Sequence, residues 1–370
     1  MAETWQAAET AEPSFAVLGI GNGGQAMAGF LALRGFRVNA WNRSPGKVEA
    51  LNRAGGIQLN GEVRGFGVPQ LVTNDVAQAV MGARVIMVTV PASGHRDIAR
   101  ILAPHLQDGQ IVVLNPGRTG GALAFRRRLL DLGCAAHVIL AETNTFIYAS
   151  RTIEPGRSRI YGVKDRVTVA ALPALSTMEA LRALRPAFPQ FLPAESVLAT
   201  SLDNMGAVFH PAPTLLNVTR VEAGEKYEHY MRGISPAVAR LLGRLDAERM
   251  SIARALGVYC RSALEWLRDT YGVTSDSLYE AIQENHSYQG ILAPESLDTR
   301  YLYEDVPFSL VPLVCLAEFA GVEAPVMRST ISVAEGLTGQ DFWATGRDSE
   351  EMGIAGWSLP GLLSYVKEGI

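Results

Sequence analysis

One histidine in this sequence stands where a helix should break. His210 lies within Thr200–Asn217 (TSLDNMGAVFHPAPTLLN), directly before Pro211, with Pro213 two residues further on. Leu202, Met205 and Phe209 would share one face of a helix leading into it. A proline removes a backbone donor and pushes the residue before it out of the helical region, so a kink at a histidine has a cost that invites a chemical reason. An imidazole titrates near neutrality and is the commonest general acid/base. Downstream, Asp298–Pro307 (DTRYLYEDVP) gathers an arginine, two tyrosines and three carboxylates. Arg300 could clamp a carboxylate with two parallel bonds, and Asp305 could orient and charge a histidine. Taken singly, His210 reads equally as a packed or capping residue, and the second cluster as a surface ion-pair group.

Gly19-Ile20-Gly21-Asn22-Gly23-Gly24 fits G-x-G-x-x-G. The fit gains force from its setting, since an apolar run precedes it and a helical pattern follows. Gly19 permits the tight turn, Gly21 lets the backbone approach a pyrophosphate, and Gly24 allows close helix–strand packing. Asn22 and Gly23 open the helix, whose free N–H groups and positive dipole end suit an anion. The end of the second strand reads Trp41-Asn42-Arg43-Ser44, with no carboxylate to accept bonds from ribose hydroxyls. Arg43 can bind a 2′-phosphate with charge-assisted bonds, and Asn42 and Ser44 can add neutral ones. This predicts NADP(H) as the preferred cofactor, with NAD(H) still possible. The loops Val90–Gly94, with Pro91, and Asn115–Gly121, with Asn115, Gly117 and Arg118, fall at strand ends and should line the cofactor cleft. Arg118 and the loop amides are enough to hold an anionic group.

The elements that must carry these residues divide the chain. Phe15–Ile20, Phe36–Trp41, Arg84–Val90, Gln110–Leu114 and His137–Ala141 read as strands, alternating with helical segments; Ile57–Thr73 reads as hairpin-like strands. The expectation is a flexible tail over 1–14, an α/β Rossmann-type dinucleotide-binding domain with a parallel sheet over 15–195, and a mostly α-helical second domain over 196–370. The long helical patterns fall at Ser235–Leu256, Arg261–Tyr271, Ser277–Gln283, Val311–Ala320 and Ala324–Leu337.

Charge follows the same division. Residues 15–195 hold 20 basic against 11 acidic side chains, or +9; residues 196–370 hold 13 against 23, or −10; the whole chain is −4. A near-neutral total argues against non-specific nucleic-acid binding, while a basic first half suits an anionic ligand. The chain has no apolar run of about 18 residues, so no membrane span is expected. The three cysteines form no CxxC, and no two histidines have ligand spacing, so neither a disulfide scaffold nor a metal site is expected. A reducing, cytoplasmic setting fits.

Lysine is scarce. Lys47 belongs to a nucleotide-side helix, Lys164 to a turn and Lys367 to the terminus, while Lys226 sits beside Glu225 and Glu228. Many small hydroxyacid dehydrogenases use a lysine as acid/base; here the weight moves to His210.

The motifs VLGIGNGG (17–24), LNPGRTGGAL (114–123), HPAPTLLN (210–217), DAER (246–249) and TRYLYEDV (299–306) together resemble the NAD(P)-dependent opine dehydrogenases, the octopine/nopaline dehydrogenase family. The resemblance runs over nearly the whole chain. It implies reduction, by NAD(P)H, of the imine formed between a 2-oxo acid and an amino acid or amine, in a site between the domains. His210 would be the general acid/base and Asp305 its carboxylate partner. Arg300 would bind a substrate carboxylate, with Tyr301 and Asn204 also at the substrate. The family further suggests a homodimer. Asn42-Arg43 departs from NADH-using members, which carry an acidic residue there. Competing readings are an imine reductase on preformed imines, a 2-oxo acid reductase or hydroxyacid dehydrogenase on the same scaffold, and a non-catalytic NADPH-binding sensor.

Overall fold

The computed structural model describes residues 14–370. The expected tail therefore lies outside the described residues, except for Ser14, whose hydroxyl donates to the Gly82 carbonyl. Short runs of apolar residues become strands buried on both faces, because helices or a second sheet cover each side. In chain order the strands are β1 (Phe15–Leu18), β2 (Val38–Trp41), β3 (Ile57–Gly61), β4 (Gly65–Gly67), β5 (Leu71–Thr73) and β6 (Val85–Val88). They continue with β7 (Ile111–Leu114), β8 (Ile139–Thr143), β9 (Tyr148–Glu154), β10 (Arg157–Val163), β11 (Val167–Leu172) and β12 (Phe191–Pro193).

The larger sheet runs β12-β11-β8-β7-β6-β1-β2-β5. From β5 to β8 it has the parallel dinucleotide-binding order, reversing direction beside β1. The expectation of a wholly parallel sheet needs correction in one place, since β11 pairs antiparallel with β8. A second sheet, β4-β3-β10-β9, was only half anticipated. The 57–73 stretch supplies β3 and β4 as an antiparallel pair, while β5 joins the larger sheet. The hairpin β9–β10 turns at Glu154-Pro155-Gly156 and completes the small sheet.

Beyond β12 the described chain is helical, with Pro236–Ala255 the longest helix. Two cores result. One, including Val17, Met27, Leu31, Ile57 and Phe188, lies between the larger and smaller sheets. The other begins on the opposite face with Leu18, Ile86, Leu114 and Leu123 and runs without a break into Leu198, Phe209, Leu245 and Leu313 of the helical half. No helix of the described residues is long and apolar enough to cross a membrane.

Candidate active site

The kink expected at His210 is present. Helix Gly206–Phe209 ends there, helix Pro211–Leu216 starts with Pro211 in its first turn, and His210 is the junction. Its Nδ1 lies 2.7 Å from Oδ2 of Asp305, and its Nε2 lies 3.2 Å from the Tyr230 hydroxyl. Tyr301 stacks on the ring at 4.1 Å between centroids and 11° between planes. Asp305 is fully buried and opens a π-helical turn, Val306–Leu310, a local irregularity often found at functional sites. With a carboxylate on Nδ1, that nitrogen carries the proton, which leaves Nε2 as the working atom. Burial holds the Tyr230 phenol well above its usual range, with Tyr301 adding to the effect, so this neighbour stays neutral. The adjacent His229 donates from Nε2 to the Phe209 carbonyl, and burial lowers its pKa to about 4, so it is neutral as well.

Arg118 explains how Asp305 remains ionised. Burial alone would push that carboxyl up; the Arg118 guanidinium, then His210, outweigh it and hold it at about 2. Arg118 Nη1 lies 3.2 Å from Asp305 Oδ1, and Arg118 Nε lies 3.4 Å from Glu304. Both carboxylates are buried. Arg118 lines the cleft as expected of its loop, with its charge matched by these two carboxylates. Its backbone is left-handed, with φ of 60°, a conformation that non-glycine residues adopt at some cost and that tends to collect at active sites. Gly206 permits the approach: a Cβ there would fall 2.6 Å from both Arg118 Nη1 and Asp305 Oδ1.

The cleft between the halves measures about 570 Å³. One wall carries Gly21, Asn22, Gly23, Pro91, Asn115 and Arg118, and the other carries His210, Tyr230 and Arg300. Trp266, Tyr271 and Tyr288 continue the second wall as an aromatic surface. The glycine turn behaves as expected. A Cβ on Gly24 would meet the Gly19 carbonyl at 1.9 Å, whereas one on Gly21 would meet nothing within 4 Å. The Gly21 backbone thus fronts open space at the start of helix Asn22–Leu33. Asn115 lines the cleft, and its Oδ1 is buried without a hydrogen-bond partner. These features fit a dinucleotide.

Several expected residues serve other purposes. Asn22 accepts a bond from the Thr152 amide, tying hairpin β9–β10 over the glycine turn. Asn42 is buried and its side-chain oxygen accepts from the Ser44 amide, which shapes the end of β2. Ser44 precedes helix Pro45–Ala54 and makes no side-chain cap bond. Arg43 is exposed beside them. Gly117 sits behind its loop: a Cβ there would strike Glu142 at 2.2 Å, and its carbonyl accepts from Arg347. Its expected place at the cofactor is therefore replaced by a packing role. Asn204 lines the cleft as expected, and its amide, bonded to Arg118, Ser309 and Thr119, also braces the site. Arg300 lies at the rim, 62% exposed, 3.3 Å from Glu304.

Sequence reasoning overlooked Tyr230 and Arg347, and it placed Lys164 in an uninvolved turn when that residue lines the cleft. Only the lysine count bore on any of these. The DAER motif is structural: Arg249 is fully buried, bonded to Asp246 and to the carbonyls of Leu202 and Arg261.

A Rossmann sheet with an open glycine turn, facing a histidine–aspartate pair across one cleft, defines an NAD(P)-dependent oxidoreductase. Residues 14–117 match the family described as NAD-dependent glycerol-3-phosphate dehydrogenase N-terminus, and residues 193–338 the family described as NAD/NADP octopine/nopaline dehydrogenase, alpha-helical domain. An opine dehydrogenase of Arthrobacter sp. (strain 1C) is 39% identical over 355 residues, covering 96% of this chain and 99% of the relative. An octopine dehydrogenase structure in complex with NADH and agmatine superposes with a TM-score of 0.82 at 25% identity, covering 95% and 98% of the two chains. A yersinopine dehydrogenase with NADP+ bound, 17% identical, shares the fold at a TM-score of 0.74, covering 96% and 98%. The chain belongs to the opine dehydrogenase family: it is an oxidoreductase acting on the CH–NH group, joining a 2-oxo acid to an amino acid by reduction with NAD(P)H.

Proposed function

We propose that His210 is the general acid/base of this reductive condensation, with Asp305 orienting it and Arg118 keeping Asp305 ionised. The observation that carries the reading is the 2.7 Å contact from Asp305 to Nδ1, which directs Nε2 at the cleft. The amine nitrogen attacks the carbonyl carbon of the oxo acid: a C–N bond forms as the C=O π bond opens, and a proton passes from nitrogen to oxygen to give a carbinolamine. Nε2–H of protonated His210 donates to the departing oxygen, so the C–O bond breaks and water leaves. The resulting C=N bond is reduced at carbon; when bound, the reduced dinucleotide supplies the hydride. Arg300, at the mouth, holds a substrate carboxylate, and Tyr301 fixes the ring plane of His210.

NADPH is the preferred cofactor in this proposal. Support comes from the exposed Arg43 at the end of β2, with the Asn42 amide and Ser44 beside it and no acidic side chain in Trp41–Ser44. The protein is further proposed to be a cytoplasmic homodimer. Free thiols at Cys134, Cys260 and Cys315 suit a reducing compartment, and exposed Val333 and Leu337 on helix Pro325–Thr338 offer an apolar strip.

The test follows NADPH oxidation over a grid of 2-oxo acids and amino acids, with NADH as control. Turnover should require both substrates. His210→Ala should lower kcat by about 10²–10⁴-fold, the usual worth of a placed proton donor, while NADPH still binds. Near-wild-type turnover of that variant would dismiss His210.

A further inference from the structure

Most charges around the cleft balance in pairs; among the described residues Lys164, inside it, and the exposed Arg151 do not. Arg118 is matched by Glu304 and Asp305, and Arg300 shares Glu304. Asp203 is matched by Arg261 at 2.7 Å and accepts from Asn144 at 2.7 Å. Lys164 follows β10, its amide donating to the Ile147 carbonyl, and it lines the same cleft as His210 and Arg300. Its ammonium donates to Thr145 Oγ1. An ammonium has three donors, so two remain. Among the described residues it ion-pairs with no carboxylate. Burial, then Arg118, lowers its pKa to about 8, with Asp203 opposing them. A cation held in such a place is stabilised by an anion arriving in the cleft.

The reaction brings such anions. A 2-oxo acid and an amino acid each carry a carboxylate, and their product carries both. Arg300 reaches from the helical half and can serve one. We propose that Lys164, from the dinucleotide half, binds a carboxylate of the substrate pair, so that the reacting molecule is held from both walls of the cleft. This assignment rests on the reductive condensation proposed above, and it makes Lys164 a specificity-determining residue for substrates that are acids.

The experiment compares wild type, Lys164→Met and Lys164→Arg, varying each substrate with the other saturating and measuring NADPH affinity separately by fluorescence. Each substrate is also replaced by its analogue without the carboxylate, an aldehyde for the oxo acid or a simple amine for the amino acid. Loss of a charge-assisted bond should raise KM for one carboxylate substrate by about 10- to 100-fold. NADPH affinity should stay within about twofold, and Lys164→Arg should recover part of the loss. The wild-type preference for acid over analogue should collapse in Lys164→Met for the one substrate that Lys164 holds, which tells the oxo acid from the amino acid. An active wild type whose Lys164→Met variant keeps both KM values and both preferences overturns the assignment alone. A loss confined to NADPH affinity overturns it too, in favour of the cofactor. A wild type idle on every oxo acid and amine pair overturns the reaction and the assignment together.

Discussion

Four other residues restrict His210 or its partner. Asp305 selects the tautomer, Tyr301 sets the ring plane, Tyr230 meets the far nitrogen and Arg118 keeps the aspartate charged. The histidine and the aspartate were legible in the sequence, since two prolines follow one closely and a dense polar cluster holds the other. Tyr230 and Lys164 were not, because nothing local distinguishes a tyrosine or lysine that converges on a site only through the tertiary fold. Asn42 offers a test at this scale. Its side-chain oxygen accepts from the Ser44 amide, and an aspartate oxygen could accept the same bond. Asn42→Asp should thus keep the turn while adding a charge that repels a 2′-phosphate and favours ribose hydroxyls. The expected outcome is a fall of about tenfold or more in the kcat/KM ratio of NADPH over NADH, with an unchanged Tm. A ratio that stays put would show that Arg43 and Asn42 do not face the cofactor.

Among the elements, strand β8 and the loop after β7 do more than their lengths suggest. Glu142, on β8, is fully buried and accepts from the Ala122 amide at the start of helix Gly121–Asp131 and from the Thr200 and Ser201 hydroxyls. Burial pushes its pKa up to about 7 against those bonds. The folded protein therefore holds a proton that the unfolded chain gives up near pH 4.5. The resulting stability is complete below that pH and is lost as pH rises through about 7. Glu142→Gln, which removes the charge, keeps one acceptor oxygen for the Ala122 amide and turns an NH2 group to the two hydroxyls, should remove this slope. Its Tm should vary less than that of the wild type between pH 5 and 8 and should be equal or higher at pH 8. A steeper profile for the variant would reject the buried proton. Hairpin β9–β10 was invisible beforehand because its side chains alternate weakly and its strands carry many polar groups. Its turn residues, Glu154-Pro155-Gly156, were the available signal. That hairpin reaches the glycine turn through Thr152 and Asn22, a contact between segments about 130 residues apart in sequence.

At the scale of the molecule, the two halves distinguished by texture and charge share a continuous core from Leu18 and Leu114 through Leu198 to Leu245 and Leu313. Fully buried Arg347, from the far end of the chain, donates to the carbonyls of Gly117 and Thr119, and helix Leu359–Glu368 ends against Pro173. Composition located the change of texture near residue 195, but it could not show that the C-terminal segment returns to the first half, since that return rests on backbone carbonyls and not on a recognisable motif. A shared core predicts one cooperative transition. Calorimetry should show a single melting peak, with no resolved transition for either half. A fragment ending at residue 195 should expose Leu114 and Leu123 and aggregate; a soluble fragment with native-like near-UV dichroism would argue that the halves are independent. Arg118 gives this union a historical side. The guanidinium that charges the acid/base pair comes from the dinucleotide half, while the pair itself comes from the helical half. Shuffling a foreign nucleotide module onto this helical partner would deliver a working cofactor site beside a histidine without its ionised aspartate. Arg118, Glu304 and Asp305 therefore form one charged unit that spans both halves of the chain.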